Sequence, residues 1–526
     1  MGMQPNLLGQ YIQAKDILEE AERIYSSRTA IIDYVSGYKY SYSDLGRRSS
    51  KIARFLQDLS LKPGDRIAYM LTNRIECIDL FKVSGMLGLI LVPLNWRLLG
   101  GELRSIIRNT APKVIFYESV FRDLAAEALK GINGIFRVVV DGEPREDEYS
   151  YEEALKAEGI KISRKASLEE PRMILYTGGT TGIPKGAVIS NRQILFNIFS
   201  EILTWRLRED HRTITLLPLF HTGGWNLLIL PLLARGGMIY MIRRFDPKLF
   251  LEIIETEKGP FTIFGVPTMY YMISKHRDFR EASFRNVEWM MSGGSHIDKR
   301  ILEEFWAKNV KMAQGYGSTE AGPNNLTPPI QDLSLDDMKK KWRSVGKPFA
   351  FNEVFVVDDN GNILGPNQYG ELVFCGPLVF SGYWGMPEET KLVLRDGCVY
   401  TGDIGFYDDE GYFYIVDRKK DIIKSGGEQV YPREIEELVL QHPAVEDCAV
   451  IPVPDEKWGE VPKLVVKLRS GLGITKHEIL SFLEGKIARY KMPKYVAVVD
   501  EIPRNPAGKI LKRVLIEKHG SPIDEI

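Results

Sequence analysis

The sequence is poor in cysteine and in long uncharged runs, and its charges almost cancel. Its 526 residues include four cysteines, 69 Lys plus Arg and 70 Asp plus Glu, which leaves a net charge of −1. Because positive and negative charges are nearly equal in number, the chain has no overall attraction to nucleic acid or to an anionic membrane. We therefore expect no nucleic-acid partner.

The cysteines are scattered rather than clustered. Cys77, Cys375, Cys398 and Cys448 form no CxxC pair, and no group of His and Cys has the spacing of zinc ligands. Disulfides are rare in a reducing compartment. We expect four reduced, mostly buried thiols and a cytoplasmic localisation.

One uncharged run is long enough to cross a bilayer and needs an explanation. Residues 213–234 contain no Asp, Glu, Lys or Arg. Turn-forming residues at its centre, including Pro218, Gly223 and Gly224, favour a buried strand, a loop and a buried helix. The start of the chain has no basic segment followed by an apolar one, so we expect neither a signal peptide nor a transmembrane segment.

The order of local patterns predicts two domains. Helical patterns at 43–59, with Ser43 as cap, and at 76–88 alternate with strand patterns at 66–70 and 90–93, which indicates an α/β architecture with parallel pairing. Near residue 400 the pattern changes to that of a small α+β domain. We predict an α/β fold with a large N-terminal α/β domain of several subdomains and a small C-terminal α+β domain. The predicted boundaries are 1–416 and 422–526, with a connection at 417–421.

One loop carries the chemistry. The segment LYTGGTTGIPKG at 175–186 follows an apolar strand pattern. Glycines let backbone N–H groups approach phosphate oxygens, and hydroxyls and a lysine add donors. A Walker A motif requires Gly-Lys-Ser/Thr, and here Pro184 precedes Lys185 and Gly186 follows it, so a P-loop kinase or ATPase is disfavoured. A flexible hairpin loop is the alternative for a Gly/Thr run taken alone.

Five further segments follow in a fixed order: LPLFH at 217–221, QGYGSTE at 314–320, YTGD at 400–403, DRKKDIIKSGGE at 417–428 and PRNPAGKI at 503–510. With the loop, they resemble the adenylate-forming superfamily, which includes acyl-CoA synthetases, firefly luciferase and the adenylation domains of peptide synthetases. The motifs extend from Tyr176 to Lys509. Gly178 is a departure, since many members have serine there, but glycine keeps the backbone geometry of the loop.

The resemblance implies an ATP site. The loop would hold the phosphates, Thr319 would touch the α-phosphate, and Glu320 would hold Mg²⁺. Asp403 would accept hydrogen bonds from the ribose hydroxyls, and Lys509 would be the catalytic lysine. The other implied contacts are Tyr316, between Gly315 and Gly317, as a flat face for adenine, Gly293 and Gly294 beside adenine, Arg418 on ribose or phosphate, and the loop residues Thr177, Gly178, Gly179, Thr180, Thr181, Gly182 and Lys185.

The resemblance also implies a site for the second step and an acyl pocket. Lys420 matches the hinge about which the small domain rotates between the two steps. Lys424, Gly426 and Gly427 would then enter the thioester-forming site. His221 would gate the acyl pocket, although a buried core histidine is the alternative. The candidate walls of that pocket are Trp225, Val266, Pro267 and Met269.

We therefore expect an AMP-forming acyl-CoA synthetase that uses ATP, Mg²⁺ and coenzyme A. Apolar walls favour an aliphatic or aromatic acid over an amino-substituted one, and Trp225 favours a short- to medium-chain fatty acid. An aryl-CoA ligase, an adenylating enzyme with an acceptor other than CoA, and an inactive nucleotide-binding homologue stay open as alternatives, as does a homodimer. The plain-turn alternative for Gly293 and Gly294 also stays open.

Overall fold

A computed structural model describes residues 13–14, 16–162, 164–177, 184–504 and 510–525. The chain divides into two compact units. The first comprises Met1–Val354 and Phe374–Val399, and the second comprises Phe355–Val373 and Tyr400–Ile526. The domain boundaries given above stay predictions.

The first unit holds fourteen of the α-helices that the described residues form. They are α1 Ile17–Tyr25, α2 Tyr42–Asp58, α3 Ile75–Leu87, α4 Gly100–Thr110, α5 Arg122–Leu129, α6 Tyr151–Ala154, α7 Asn191–Thr204, α8 Thr222–Asn226, α9 Ile229–Arg235, α10 Pro247–Thr256, α11 Pro267–Ser274, α12 Lys299–Trp306, α13 Leu335–Lys340 and α14 Pro387–Val393.

Most of its strands precede residue 350. They are β1 Gln13–Ala14, β2 Thr29–Asp33, β3 Lys39–Ser41, β4 Arg66–Met70, β5 Ile90–Pro93, β6 Val114–Tyr117, β7 Phe136–Val139, β8 Tyr149–Ser150, β9 Ala166–Ser167, β10 Pro171–Thr177, β11 Lys185–Ser190, β12 Arg212–Ile214, β13 Met238–Met241, β14 Phe261–Gly265, β15 Val287–Ser292, β16 Met312–Gln314, β17 Tyr316–Ser318, β18 Gly322–Thr327 and β19 Lys347–Pro348.

Two seven-stranded sheets dominate the first unit. Their orders are β11-β10-β5-β4-β6-β7-β8 and β16-β15-β14-β12-β13-β2-β3. Pairing is parallel except where β10 meets β11 and β2 meets β3. Central strands are apolar throughout, as expected of parallel sheets covered on both faces; Ile67 to Met70 of β4 are fully buried. The predicted α/β class is confirmed.

The start of α2 corrects one expectation. We predicted Ser43 as the cap, but the helix begins at Tyr42 and Ser41 is its N-cap. The Ser41 side chain accepts from the Asp44 N–H, and the Asp44 carboxylate accepts from the Ser41 N–H. This capping box satisfies two backbone donors at once. Ser43 could not form one, because it has no acidic residue three positions later.

The uncharged run forms no membrane-length helix. It continues from β12 through a loop into α8 and α9, as predicted. Within the described residues, no helix is both long enough and apolar enough to cross a bilayer.

The expectation of four free thiols is wrong. Cys375 and Cys398 form a disulfide across 23 positions of sequence, whereas Cys77 and Cys448 are free and buried. Their spacing gave no sign of pairing, because the contact is made by the fold. Cysteine usage therefore no longer supports the predicted reducing compartment.

The remaining elements complete the second unit and the chain segments that lead to and from it. The strands are β20 Glu353–Val357, β21 Gly370–Cys375, β22 Leu394–Arg395, β23 Cys398–Tyr407, β24 Phe413–Arg418, β25 Ile423–Ser425, β26 Glu428–Val430, β27 Val445–Asp455, β28 Gly459–Leu468 and β29 Tyr495–Val498, and the helices are α15 Pro432–Val439, α16 Lys476–Leu483 and α17 Lys512–His519.

The second unit has its own sheet and core. The sheet order is β26-β25-β28-β27, with β29 parallel to β28. The hairpin of β27 and β28 pairs from Val445–Leu468 to Asp455–Gly459. Apolar side chains of α15, α16 and these strands form its core.

Candidate active site

The ends of the predicted phosphate loop lie on a hairpin. Thr177, the last residue of β10, pairs with Lys185, the first residue of β11. The Thr177 hydroxyl lies 3.4 Å from the Lys185 carbonyl oxygen. The hairpin therefore holds both ends of 178–183 together at one edge of the first sheet. The loop residues Gly178, Gly179, Thr180, Thr181 and Gly182 lie outside the described residues, as does Lys509.

Glu320 lies at this hairpin. Its Oε1 accepts from the Tyr383 hydroxyl at 2.9 Å and from the Thr177 hydroxyl at 3.5 Å. The Lys185 ammonium lies 5.3 Å from the centre of the Tyr383 ring. Three residues predicted for the phosphates and the metal are thus brought together, and Tyr383 joins them. Sequence reasoning missed Tyr383, which lies in none of the six motifs.

Glycine fixes the strand that leads to Glu320. A Cβ at Gly317 would lie 2.0 Å from the Pro323 carbonyl oxygen, and one at Gly315 would lie 2.9 Å from that of Leu326. Only glycine lets β17 approach β18 this closely. The Thr319 carbonyl in turn accepts from the buried Gln193 side chain at 3.2 Å.

Tyr316, predicted to face adenine, already has one aromatic neighbour. Its ring stacks on Phe374, with centroids 5.7 Å apart and planes 20° apart. The stack fixes the tilt of the tyrosine ring and covers one side of it. Phe374 was not predicted, since an apolar residue in a strand pattern is typical of a core position.

Gly293 and Gly294 form a tight turn after β15. A Cβ at Gly293 would lie 2.6 Å from Phe264, and Gly294 has a φ of +80°. A Cβ at Gly294 would lie 3.6 Å from Val266. The turn therefore adjoins one of the predicted acyl-pocket walls, while its contact with adenine stays a prediction. The other predicted walls in this stretch, Pro267 and Met269, are in α11.

His221 precedes α8 with its ring against Phe220, at 4.6 Å between centroids. Its Nε2 is buried, and none of the residues that the structure describes forms a hydrogen bond with it. Burial, helped by the nearby Arg97 guanidinium, lowers the pKa of His221 to about 4. The side chain is therefore a neutral imidazole at pH 7, which suits the rim of an apolar pocket.

We expect His221 to stay neutral across the physiological range. Histidine Cε1 chemical shifts, followed by NMR from pH 8 to pH 5, should show a His221 resonance that does not move, whereas a free imidazole titrates near pH 6.5. A His221→Gln variant assigns that resonance by its disappearance. A His221 resonance with a midpoint above pH 6 would contradict the burial argument.

Trp225 is fully buried. Its indole N–H donates to the Leu219 carbonyl at 2.6 Å, and its ring stacks on Phe81 at 5.1 Å. The Tyr69 hydroxyl also donates to the Leu219 carbonyl. These contacts hold the indole rigidly. A residue that limits the length of a pocket must be held in this way.

In the second unit, two predicted nucleotide contacts pair with each other. Asp403 and Arg418 are register partners of β23 and β24. Arg418 Nε lies 2.5 Å from an oxygen of the nearly buried Asp403 carboxylate. The Thr401 hydroxyl accepts from the Asp403 N–H. The Arg418 guanidinium orients a carboxylate whose oxygens can accept hydrogen bonds from a diol.

The predicted hinge and the residues predicted for the thiol step come directly after β24 in sequence. Lys420 lies in a short 3₁₀ helix, Lys419–Asp421, and is exposed. Gly426 and Gly427 form the two-residue turn between β25 and β26, both with positive φ, as such hairpins require. Lys424 is exposed on β25. The Gly426 N–H donates to the Trp458 carbonyl, a contact that sequence reasoning did not predict.

A cavity of about 690 Å³ lies elsewhere in the first unit, lined by parts of α1, α2, α3 and α7. It contains none of the predicted site residues. Two ion pairs, Asp16 with Arg172 and Lys82 with Glu22, are among its lining residues. We do not assign the reaction to it.

The donor set fits a magnesium ion only in part. Among the described residues there is no group of three or more His, Cys, Asp or Glu able to hold a metal. Glu320 supplies a single carboxylate. Mg²⁺ is commonly held by one or two carboxylates together with substrate phosphates and water, so Glu320 fits a metal that arrives with a nucleotide.

Comparison with known proteins agrees with this chemistry. The family model of AMP-binding enzymes matches residues 18–384, and that of the AMP-binding enzyme C-terminal domain matches residues 434–509. The chain is 34% identical to feruloyl-CoA synthase of an Amycolatopsis species, over 92% of this chain and 95% of the relative. It is 33% identical to indoleacetate–CoA ligase of Aromatoleum aromaticum, over 90% and 92%. ATP-bound MatB from Rhodopseudomonas palustris superposes with a TM-score of 0.86 at 30% identity, over 96% and 99%.

Proposed function

The chain belongs to the AMP-binding enzyme family, and from that membership, together with the buried Trp225, we propose that it activates a short- to medium-chain aliphatic acid. At the coarser level it is an ATP-dependent, AMP-forming acid–thiol ligase that makes acyl- or aryl-CoA. The acid carboxylate attacks the α-phosphorus of ATP, giving acyl-AMP and pyrophosphate. The thiol of CoA then attacks the acyl carbonyl and releases AMP.

The grouping of Thr177, Lys185 and Glu320 carries this proposal. Negative charge accumulates on the phosphates as pyrophosphate leaves, so a cation and donors are needed there. Lys185 and the Thr177 hydroxyl lie where the two ends of the Gly/Thr loop meet. When Mg²⁺ is bound, it neutralises phosphate charge. Glu320 is the residue that would hold it.

The remaining roles are proposed from the motifs. Lys509 supplies the positive charge for adenylate formation, and Thr319 contacts the α-phosphate. Asp403 and Arg418 bind the ribose, and Tyr316 faces adenine. Lys420 is the hinge residue, and Lys424 with the Gly426–Gly427 turn serves the thiol step.

A rigidly held tryptophan among the predicted walls of the acyl pocket supports a short acid. Trp225 is fully buried and anchored by its indole N–H to a backbone carbonyl, so its ring does not swing aside freely. His221 is neutral at pH 7 and offers no charge to a second carboxylate. An aromatic acid of similar length is the second candidate, because relatives at 34% and 33% identity are named feruloyl-CoA synthase and indoleacetate–CoA ligase.

Trp225→Ala should shift the preference toward longer acids. Opening the pocket by an indole should raise the ratio of kcat/KM for a long acid over a short one by about tenfold or more, as for other changes of pocket length. Trp225→Phe is the matched control, since it keeps an aromatic ring against Phe81. An unchanged preference in Trp225→Ala would place the tryptophan outside the pocket.

The test of the proposed function is AMP release from ATP and Mg²⁺ with a panel of acids, with and without CoA. The panel comprises straight-chain acids of increasing length together with phenylpropenoic and indolic acids. We expect CoA-dependent AMP release that is greatest with short to medium aliphatic acids. Activity confined to aryl acids would reject the aliphatic proposal, and pyrophosphate release without CoA turnover would reject CoA as acceptor.

A further inference from the structure

Tyr383 is placed by strand-like pairing beside the phosphate hairpin. It forms an antiparallel bridge with Ala187 of β11, two residues from Lys185. Its neighbours extend this pairing: Trp384 N–H donates to the Gly186 carbonyl, and Ser381 N–H donates to that of Val188. The backbone that carries the tyrosine is therefore part of the edge that also carries Lys185.

The same segment holds Glu320 at both ends. The Phe380 N–H donates to the Glu320 carbonyl at 2.8 Å, and the Tyr383 hydroxyl donates to its carboxylate at 2.9 Å. The Phe380 and Tyr383 rings pack edge to face, with their centroids 5.0 Å apart. Glu320 is thus fixed in both main chain and side chain by one short stretch.

The hydrogen bonds on the Glu320 carboxylate are one-sided. Both the Tyr383 and the Thr177 hydroxyls donate to Oε1. Within the part of the chain that the structure describes, no residue donates a hydrogen bond to Oε2. A carboxylate held through one oxygen keeps the other for an outside ligand, and partners behind a ligating carboxylate commonly set its orientation and affinity.

The ring of Tyr383 has a second contact. The Lys185 ammonium lies 5.3 Å from its centre, within the range of a cation–π interaction. Tyr383 therefore contacts both Glu320 and Lys185, the anionic and the cationic side chain predicted to bind the metal and the phosphates of a nucleotide.

We propose that Tyr383 is the positioning residue of the metal–phosphate site: its hydroxyl holds Glu320 Oε1 so that Oε2 faces the divalent cation carried by ATP, while its ring lies against Lys185. The inference rests on the proposed function, because it takes ATP as the ligand. It predicts separate effects for the hydroxyl and for the ring.

The test compares Tyr383→Phe and Tyr383→Leu by calorimetric titration with ATP, in EDTA and then with Mn²⁺. Mn²⁺ also reports directly by electron paramagnetic resonance. Tyr383→Phe should weaken Mn²⁺–ATP binding about tenfold or more, as for lost partners of metal ligands, and leave metal-free ATP binding within about twofold. Tyr383→Leu should weaken both. Tyr117→Phe is the matched control, since it removes a 2.9 Å Tyr–Glu hydrogen bond elsewhere in the first unit.

A double variant separates positioning from general damage. In a Glu320→Gln background, Tyr383→Phe should cause no further loss of Mn²⁺–ATP binding, because the carboxylate it orients is gone. Equal losses in both backgrounds, or Mn²⁺–ATP binding by Tyr383→Phe equal to that of the parent, would overturn the inference while leaving the proposed function intact. Failure of the parent chain to bind ATP at all would overturn the proposed function and the inference with it.

Discussion

We expect Lys509→Ala to slow acyl-adenylate formation by about a hundredfold or more, the loss seen when a donor to a developing charge is removed. A lysine is a compact cation on a flexible stem, suited to meeting the phosphate as charge moves onto it. The described residues on either side of 505–509 are joined by a bridge between Arg504 and Ile510 and by the Leu511 N–H donating to the Pro503 carbonyl. Arg504 is tied in turn to Asp447 by two hydrogen bonds of 2.8 and 2.9 Å.

The measurement is single-turnover pyrophosphate release with saturating acid. Thioester formation from a supplied acyl-adenylate should change far less, because the charge neutralised by Lys509 belongs to the first step. Lys518→Ala is the control, as it removes an exposed lysine of α17. Adenylation at the parent rate in Lys509→Ala would refute the assignment.

Lys420→Pro should separate the two half-reactions. Proline fixes φ near −65°, which lies within the range of the 3₁₀ helix in which Lys420 is found. The variant therefore resists rotation about this residue. We expect adenylation close to that of the parent and thioester formation slowed by about a hundredfold or more, the scale on which misplaced catalytic groups act.

Both half-reactions should be measured on the same preparation, with the thermal midpoint as a check on folding. Lys420→Ala is the matched control, since it removes the side chain and leaves the backbone free. Equal loss of both steps in Lys420→Pro, at an unchanged thermal midpoint, would count against a hinge at this position.

The site was partly predictable from sequence. Thr177, Lys185 and Glu320 lie in motifs whose residue types match phosphate and metal chemistry, and the fold brings them together. Tyr383 and Phe374 could not be found in this way. Each belongs to a segment without such chemistry and reaches the site only through strand pairing or ring stacking over a long sequence separation.

The fold shows the same division. Buried strands such as β4 and β5 follow from apolar runs with their own turn signals, and their predicted bounds match. The cap of α2 was misplaced by two residues because the reciprocal partner Asp44 decides between nearby serines. The Cys375–Cys398 disulfide depends on which segments the fold brings side by side, which local patterns do not specify.

The central claim is that an acid carboxylate attacks the α-phosphorus of ATP. Its most direct test uses an acid labelled with ¹⁸O in both carboxylate oxygens, with ATP, Mg²⁺ and CoA, and mass spectrometry of the nucleotide. One carboxylate oxygen becomes the bridge of acyl-AMP and leaves with AMP when the thiol attacks. The account predicts AMP that carries one ¹⁸O atom. Unlabelled AMP, or ADP together with labelled inorganic phosphate, would contradict it.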